Sequence, residues 1–178
     1  MKTTISLSLL ILAATSFCAF SADVGLPKTG QTTSFLTGDD GDLEKGLLWP
    51  TPRFTDNGDG TISDKLTGLI WEKSPSATTK TWVDAISYAQ NITVGGYDDW
   101  RLPNINELKS LINAGEIVQA DWLNSQGFSG VIPGGFIWSS TTYDGSAGRA
   151  WTVNSVGGAY YGLQKTGYYY VLAVRGGQ

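Results

Sequence analysis

The sequence has no histidine and only one cysteine, Cys18. If the segment around Cys18 is removed on export, as the next paragraph argues, the mature chain has neither an imidazole nor a thiol. A chain without these groups cannot form a disulfide, a Cys/His zinc site, a cysteine nucleophile or a Ser-His-Asp triad. We therefore expect the protein not to be an enzyme and to need no organic cofactor.

The sequence also lacks an apolar run long enough to cross a membrane. Its longest apolar stretch, residues 5–19, follows the positive charge of Lys2 and precedes the small residues Ala19, Ser21 and Ala22. This order is typical of a cleavable signal peptide, which we predict over residues 1–22. Phe17 stands where a lipidation signal requires a small residue, so we expect no lipid on Cys18. The predicted destination is the periplasm, the cell surface or the extracellular space.

Clusters of basic residues are absent as well. The chain has 12 Lys and Arg against 16 Asp and Glu, a net charge of −4. Loss of Lys2 with the signal peptide leaves 11 basic residues and a net charge of −5. A chain with this charge and no basic patch is a poor partner for nucleic acid or an anionic membrane surface.

Glycine and aromatic residues are abundant, with 23 Gly, seven Trp and eight Tyr. This composition predicts many tight turns around an aromatic core. Residues 23–50 are polar and lack periodicity, so we expect an extended N-terminal arm or tether there. Residues 51–178 carry the regular patterns and form the predicted domain. No internal repeat is present.

The order of patterns in this domain is strands, two helices, then strands. Asp-Asn-Gly-Asp-Gly at residues 56–60 is a strong turn signal between two short strands, and a third strand follows at residues 69–72. Thr81 can cap one helix, and Asn104 with Glu107 forms a capping box for a second. Alternation predicts later strands at residues 135–140, 150–154, 160–163 and 168–175. The fold class is therefore α+β with two helices and antiparallel β-meanders.

The first turn brings four hard oxygen ligands close together in sequence: Asp56, Asn57, Asp59 and Asp64. Calcium prefers such ligands, so a calcium site is one interpretation. However, an EF-hand alignment puts Thr55 and Leu66 where carboxylates are required. We favour a pair of β-turns and keep calcium as the alternative.

A second polar segment contains Asp98, Asp99, Trp100 and Arg101. A hydrolase could use Asp98 or Asp99 as a general acid or base without histidine. Adjacent residues on an extended chain point to opposite sides, which argues against a carboxylate pair. The structural alternative places Trp100 in the core and pairs Arg101 with Asp98, Asp99 or Glu107.

Tyrosines near the end of the chain suggest a binding surface. Sugar-binding proteins stack exposed aromatic rings on C–H faces and satisfy hydroxyl groups with neighbouring polar side chains. We predict such a site from Tyr143, Arg149, Asn154, Tyr160 and Tyr161. The alternative for each ring is burial in the core, because aromatic side chains cover large areas.

The domain resembles the Lcl C-terminal domain family over residues 53–177. The resemblance rests on a series of motifs in matching order: residues 53–61, 67–71, 82–85, 96–104 with Glu107 and Leu108, 138–141 and 174–177. It implies a C-type-lectin-like fold. The fold is also similar to that of formylglycine-generating enzymes, whose chemistry requires cysteines that the mature chain lacks.

The resemblance also implies partners, because the family includes a collagen-like surface adhesin whose domain trimerises and binds sulfated glycosaminoglycans. This implies a homotrimer. The present chain has no Gly-X-Y stretch, and its net charge of −5 favours a neutral glycan or a protein surface over a polysulfate. We expect a secreted or surface-associated, non-catalytic module that binds glycan or extracellular matrix. The alternative is a structural subunit of an envelope or extracellular assembly.

Overall fold

The computed structural model describes residues 25–177, so the predicted signal peptide lies outside the described residues. The described chain is α+β, as predicted. Its strands are Phe54–Asp56 (β1), Thr61–Asp64 (β2), Ile70–Glu72 (β3), Phe136–Thr142 (β4), Arg149–Asn154 (β5), Tyr160–Gln164 (β6) and Val174–Arg175 (β7). They form two antiparallel sheets with the spatial orders β1-β2-β3-β7 and β4-β5-β6.

Four α-helices and one 3₁₀ turn accompany the sheets in the described residues. They are Asp40–Leu43 (α1), Trp82–Asn91 (α2), the 3₁₀ turn Val94–Gly96, Ile105–Ser110 (α3) and Gln119–Ser125 (α4). The expectation of two helices was therefore wrong. The two predicted helices are α2 and α3. The N-cap residue of α4 is Val118, which makes no side-chain cap, so α4 carries no start signal in the sequence.

The capping residues act as predicted. The Thr81 hydroxyl accepts the backbone N–H of Asp84 at the start of α2. Asn104 and Glu107 complete a capping box at the start of α3. These contacts satisfy backbone donors that the first helical turn leaves unpaired, and they set where each helix begins.

The predicted strand over residues 168–175 is correct only at its end. Val174 and Arg175 pair with β3, whereas Tyr169 and Tyr170 make isolated bridges to Lys80 and Ile137. Between them, residues 171–173 are fully buried. This segment passes from the second sheet to the first, so it cannot continue in one ladder.

Two groups of buried side chains form the core. The first lies around Trp71, Leu108 and Trp122, and the second around Trp100 and Trp138. In the second group, the fully buried side chains of α2 are the small residues Ala85 and Ala89. Partly buried residues such as Trp82 pack against them. Trp100 is therefore a core residue, as the structural alternative predicted.

The described part of the predicted arm, from Gly25, contacts the rest of the domain. Pro27 bridges Leu47, and the Trp49 indole N–H donates to the Lys28 carbonyl at 2.8 Å. The Trp49 ring also packs on Trp122 with centroids 5.8 Å apart. The segment therefore folds back on itself, and Trp49 connects it to the first core group.

A buried ion pair lies beside this contact. Arg53 donates to both carboxylate oxygens of Asp64 at 3.0 and 2.8 Å, and the two side chains are 3% and 0% exposed. Arg53 also donates to the Ser110 carbonyl at 2.7 Å and lies against the rings of Trp49 and Phe54. One guanidinium thus connects the arm, β1, β2 and the end of α3.

Replacing Arg53 by Met should lower the free energy of unfolding by about 3–5 kcal/mol, because it leaves the Asp64 carboxylate buried without its cation. Asp64→Asn should also destabilise, and the double variant should lose less than the sum of the two. Denaturant unfolding of all three variants measures this coupling.

Lys73→Met is the matched control, because Lys73 forms an exposed ion pair with Asp56. It should leave the unfolding midpoint unchanged within error. Additive effects of the Arg53 and Asp64 substitutions would contradict the assignment of the buried pair.

Candidate functional site

The second sheet carries three aromatic rings in a row on one face. Trp151 on β5 lies opposite Gly162 of β6, and two residues along, Val153 lies opposite Tyr160. Side chains of directly opposed residues share a face of the sheet, as do residues two apart on one strand. Trp151 and Tyr160 are therefore neighbours, with ring centroids 5.7 Å apart at 66°.

Tyr143 completes this row from the loop between β4 and β5. Its ring centroid lies 4.8 Å from that of Trp151, with the planes at 73°. Both contacts in the row have the edge-to-face geometry that aromatic pairs prefer. We call Tyr143, Trp151 and Tyr160 the aromatic row.

The Tyr143 ring packs against Gly162 of β6, which has no side chain to displace it. A Cβ atom on Gly162 would lie 2.5 Å from two atoms of that ring, closer than real contacts allow. The Tyr143 backbone N–H donates to the Arg149 carbonyl at 2.9 Å, which fixes the start of the loop. A glycine opposite Trp151 therefore allows the tyrosine to lie flat over the strand.

Two cationic side chains flank the aromatic row. The Lys109 ammonium on α3 lies 3.9 Å from the centroid of the Tyr160 ring. Arg149 is exposed, lies two residues before Trp151 on β5 and is opposite Gln164. A cation over a ring face is favourable because the face carries negative charge density. The row thus offers apolar ring surface with hydrogen-bond donors near Tyr160 and near Trp151.

The structure brings together only some of the predicted site residues. Tyr143, Arg149 and Tyr160 belong to or flank the row. Tyr161 lies on the other face of the sheet, where its ring packs against Phe136 with centroids 5.8 Å apart.

Asn154 is also outside the row, because it organises the turn between β5 and β6. Its carbonyl oxygen accepts the Val156 N–H at 2.9 Å, and its amide donates to the Gly134 carbonyl at 3.4 Å. The predicted set was therefore wrong in grouping Asn154 and Tyr161 with the other three. Alternation along β5 and β6 puts adjacent residues on opposite faces.

Sequence reasoning missed Trp151 and Lys109. The position of Trp151, two residues after Arg149 in an alternating strand, was a signal for the shared face. The sequence carries no such signal for Lys109, because its contact with Tyr160 joins α3 to β6 across 51 residues of sequence.

A comparison with protein families gives one match. The sequence model of the family described as the Lcl C-terminal domain matches residues 60–175. The chain belongs to the Lcl C-terminal domain family. A comparison with curated protein sequences finds no match.

The motifs that carry the family resemblance build the scaffold of this Lcl C-terminal domain. Trp71, Trp100 and Trp138 are 0–2% exposed. Arg101 donates to both carboxylate oxygens of Glu107 at 2.7 and 2.6 Å and to the Gly176 carbonyl at 2.9 Å. Glu107 is thus the partner of Arg101, and this junction joins the middle motif to the terminal one.

Of the two acidic residues considered for a hydrolase, Asp99 forms an ion pair. Asp99 binds Arg175 at 2.6 and 3.1 Å, and hydrogen bonding to this guanidinium lowers the pKa of Asp99. A carboxyl group held in its ionised form is poorly suited to act as a general acid. The contact connects the middle motif to β7.

The four predicted metal ligands each have protein partners. The Asp56 carboxylate accepts from Lys73 at 2.7 Å, and this bond lowers the pKa of Asp56. The remaining partners are Asn57 with Thr61 and Ser63, Asp59 with Thr61, and Asp64 with Arg53. Within residues 25–177, no three His, Cys, Asp or Glu side chains come together as a metal site would require. Calcium binding remains an untested prediction for this family member.

None of the helices between Gly25 and Gly177 combines the length and the apolar character needed to cross a bilayer.

Gly162→Ala should displace the Tyr143 ring, because the new methyl group would occupy the position of the ring. The expected result is a changed near-ultraviolet circular dichroism spectrum, since the edge-to-face contact of Tyr143 with Trp151 is lost. Gly157→Ala is the control: a Cβ atom there meets nothing within 4 Å. Identical spectra for Gly162→Ala and the parent would show that Tyr143 does not lie on Gly162.

Proposed function

We propose that this Lcl C-terminal domain is a non-catalytic module, exported to the periplasm, the cell surface or the extracellular space, that binds a glycan or a matrix polymer. We propose further that its α+β fold is of the C-type-lectin-like kind. The observation that carries the function is the aromatic row with its flanking cations on the second sheet. Aromatic rings packed edge to face form an apolar surface that the C–H groups of a sugar polymer can contact.

The ring surface needed for stacking is accessible. Tyr160 is 51% exposed, and Tyr143 and Trp151 are partly exposed. A solitary exposed tyrosine is ordinary, but here Tyr143 and Tyr160 both pack on Trp151, and the three rings form an apolar strip. The centroid distances of 4.8 and 5.7 Å show that the strip is continuous from Tyr143 through Trp151 to Tyr160.

The rings are held in position before a ligand arrives. Trp151 and Tyr160 are strand residues, and Tyr143 is confined by Gly162 and by its backbone hydrogen bond to Arg149. Aromatic side chains also lose little conformational entropy on binding, because they have few rotatable bonds. Both properties reduce the free-energy cost of binding.

Polar groups at the row can satisfy sugar hydroxyls. Arg149 is exposed, and its guanidinium donates to the Gly162 carbonyl at 3.5 Å and to the Gln164 side-chain oxygen at 3.3 Å, which leaves further donors toward solvent. The Gln164 amide nitrogen donates in turn to the Gly148 carbonyl at 3.3 Å, so Gln164 positions Arg149 from the opposite strand. The net charge of −5 on the mature chain favours a neutral polymer over a polysulfate.

A second candidate function is a structural subunit joined through the N-terminal arm. The arm exposes a series of large apolar side chains: Leu26, Phe35, Leu36, Leu43, Leu47 and Leu48. Exposed apolar groups of this number on one short segment favour contact with another protein surface. A homotrimer, as the family resemblance implies, would provide such a protein surface.

Tyr160→Ala should weaken glycan binding roughly tenfold, because loss of one stacked ring removes about 1–2 kcal/mol of binding free energy. The measurement is a glycan array with the purified mature chain, followed by titration of the strongest neutral hit. Tyr97→Ala is the matched control, since Tyr97 is 37% exposed and lies on Arg175, at the edge of the first sheet.

Equal losses of glycan affinity in Tyr97→Ala and Tyr160→Ala would show that the aromatic row is not the binding surface. A blank array from folded protein that runs as an oligomer in light scattering would favour the structural subunit instead.

A further inference from the structure

A cleft of about 420 Å³ lies against α2 and shares no residue with the aromatic row. One wall is a stripe along α2 that includes Asp84, Tyr88 and Asn91. These positions are four and three residues apart, so their side chains lie on one side of the helix. Lys80 and Tyr168 complete the lining, with the Lys80 ammonium 4.8 Å from the centroid of the Tyr88 ring.

The backbone on both sides of the cleft is firmly held. Lys80 exchanges two backbone hydrogen bonds with Tyr169, at 2.8 and 3.0 Å, and its carbonyl also accepts the Trp138 indole N–H at 2.9 Å. On the other side, α2 is anchored by Ala85 and Ala89, both fully buried in the second core group. The cleft is therefore a fixed feature of the fold.

A buried carboxyl group orients the tyrosine of this cleft. The Tyr88 hydroxyl donates to Glu72 at 2.6 Å, and Glu72, only 7% exposed, also accepts the Ala173 N–H at 3.2 Å. Burial raises the pKa of Glu72, and burial together with this hydrogen bond raises the pKa of Tyr88. Since its proton is directed to Glu72, the Tyr88 oxygen is left as an acceptor for a ligand.

Other side chains in the cleft have hydrogen-bonding atoms that a ligand can use. The Asn91 amide nitrogen donates to the Ser87 carbonyl at 2.7 Å, which leaves the Asn91 side-chain oxygen as an acceptor. Asp84 accepts the Thr81 hydroxyl at 2.6 Å with one of its two oxygens. In the described part of the chain, Lys80 and Asp84 form no ion pair with one another.

Tyr168 supplies an open ring at the edge of the cleft. It is 65% exposed, whereas the next two tyrosines are partly buried and bridged to neighbouring segments. Its backbone is thus fixed by its neighbour Tyr169 while its own ring is available. An exposed ring beside polar acceptors provides both a face for stacking and partners for hydrogen bonds.

From these groups we infer that the cleft is a second saccharide site, which takes a single neutral sugar ring. Hydroxyl groups both donate and accept, so they match the Lys80 ammonium and the oxygens of Asp84, Tyr88 and Asn91 together. The Tyr168 ring would stack on the C–H face. An anionic ligand would meet Asp84, and a cationic one would meet Lys80. The site goes beyond the proposed polymer surface, because neither depends on the other.

The test uses the purified mature chain and four probes: the methyl glycosides of glucose, galactose and N-acetylglucosamine, and methyl glucuronide as an anionic comparison. Saturation-transfer NMR detects binding, and titration gives the affinities. Tyr168→Ala and Asn91→Ala should each weaken binding of a neutral glycoside about tenfold or more. Both side chains lie at the surface of the cleft, so unfolding midpoints should be retained.

Gln90→Ala is the control on the same helix, since Gln90 is exposed and outside the cleft. Gln90→Ala should not change the affinity for the neutral glycoside. Tyr160→Ala reports separately on the aromatic row, through binding to the array. If Tyr160→Ala does not affect binding to the array while the results for the cleft variants are as expected, the proposed polymer surface is contradicted and the proposed site in the cleft is supported.

Three results would overturn the proposal. They are the absence of binding by all three neutral glycosides to folded protein, unchanged affinity in Tyr168→Ala and Asn91→Ala, and tighter binding of methyl glucuronide than of the glucoside.

Discussion

The Arg53–Asp64 ion pair is the contact on which most of the fold depends. Burying two charges costs several kcal/mol each unless further hydrogen bonds compensate. Here Asp64 also accepts the Leu66 N–H and the Thr67 hydroxyl, at 3.0 and 2.8 Å. Arg53 adds the Ser110 carbonyl and the faces of Trp49 and Phe54. The geometry therefore requires the arm, the first hairpin and α3 to be in place together.

The contacts of Arg53 also help to position the candidate binding surface, because they hold α3. The helix is held at its end by Arg53 through Ser110, and at its start by the capping box and by Arg101 through Glu107. In the last turn of α3, Lys109 lies over the Tyr160 ring. One end of the aromatic row is thus positioned by contacts that lie in the first sheet and in the family motifs.

The family motifs and the candidate surfaces are different parts of the molecule. Trp71, Trp100 and Trp138 are buried, and Arg101 closes a junction between distant segments. The aromatic row lies on the second sheet, and the cleft beside α2 is lined mainly by residues outside the motifs, with Asp84 the exception. Members of the family could therefore keep this scaffold while changing what they bind, since function depends on sites carried by a fold.

Local signals in the sequence predicted the local structure well. The Asp-Asn-Gly-Asp-Gly turn has Gly58 and Gly60 at positive φ, and the capping box at Asn104 sets the start of α3. Both depend on neighbouring residues only, so periodicity and turn chemistry were sufficient. Of the residues predicted to form a binding site, the structure brings Tyr143, Arg149 and Tyr160 together beside Trp151.

The errors arise where distant segments meet. Residues 171–173 read as strand because they are apolar, but they are buried while crossing between sheets. Tyr161 follows Tyr160 in sequence, yet lies on the opposite face of β6. Lys109 reaches Tyr160 only because α3 packs against the second sheet. Such contacts follow from tertiary packing, which the spacing of residues in one segment does not specify.

The central claim is that the aromatic row, and not the motif tryptophans, meets the ligand. The seven tryptophan indole N–H groups can be followed individually by ¹H–¹⁵N NMR during titration with the neutral oligosaccharide that the array selects. The account predicts that the Trp151 resonance shifts progressively to saturation, while those of the buried Trp71, Trp100 and Trp138 stay in place. Saturable binding that leaves the Trp151 resonance unmoved would contradict it.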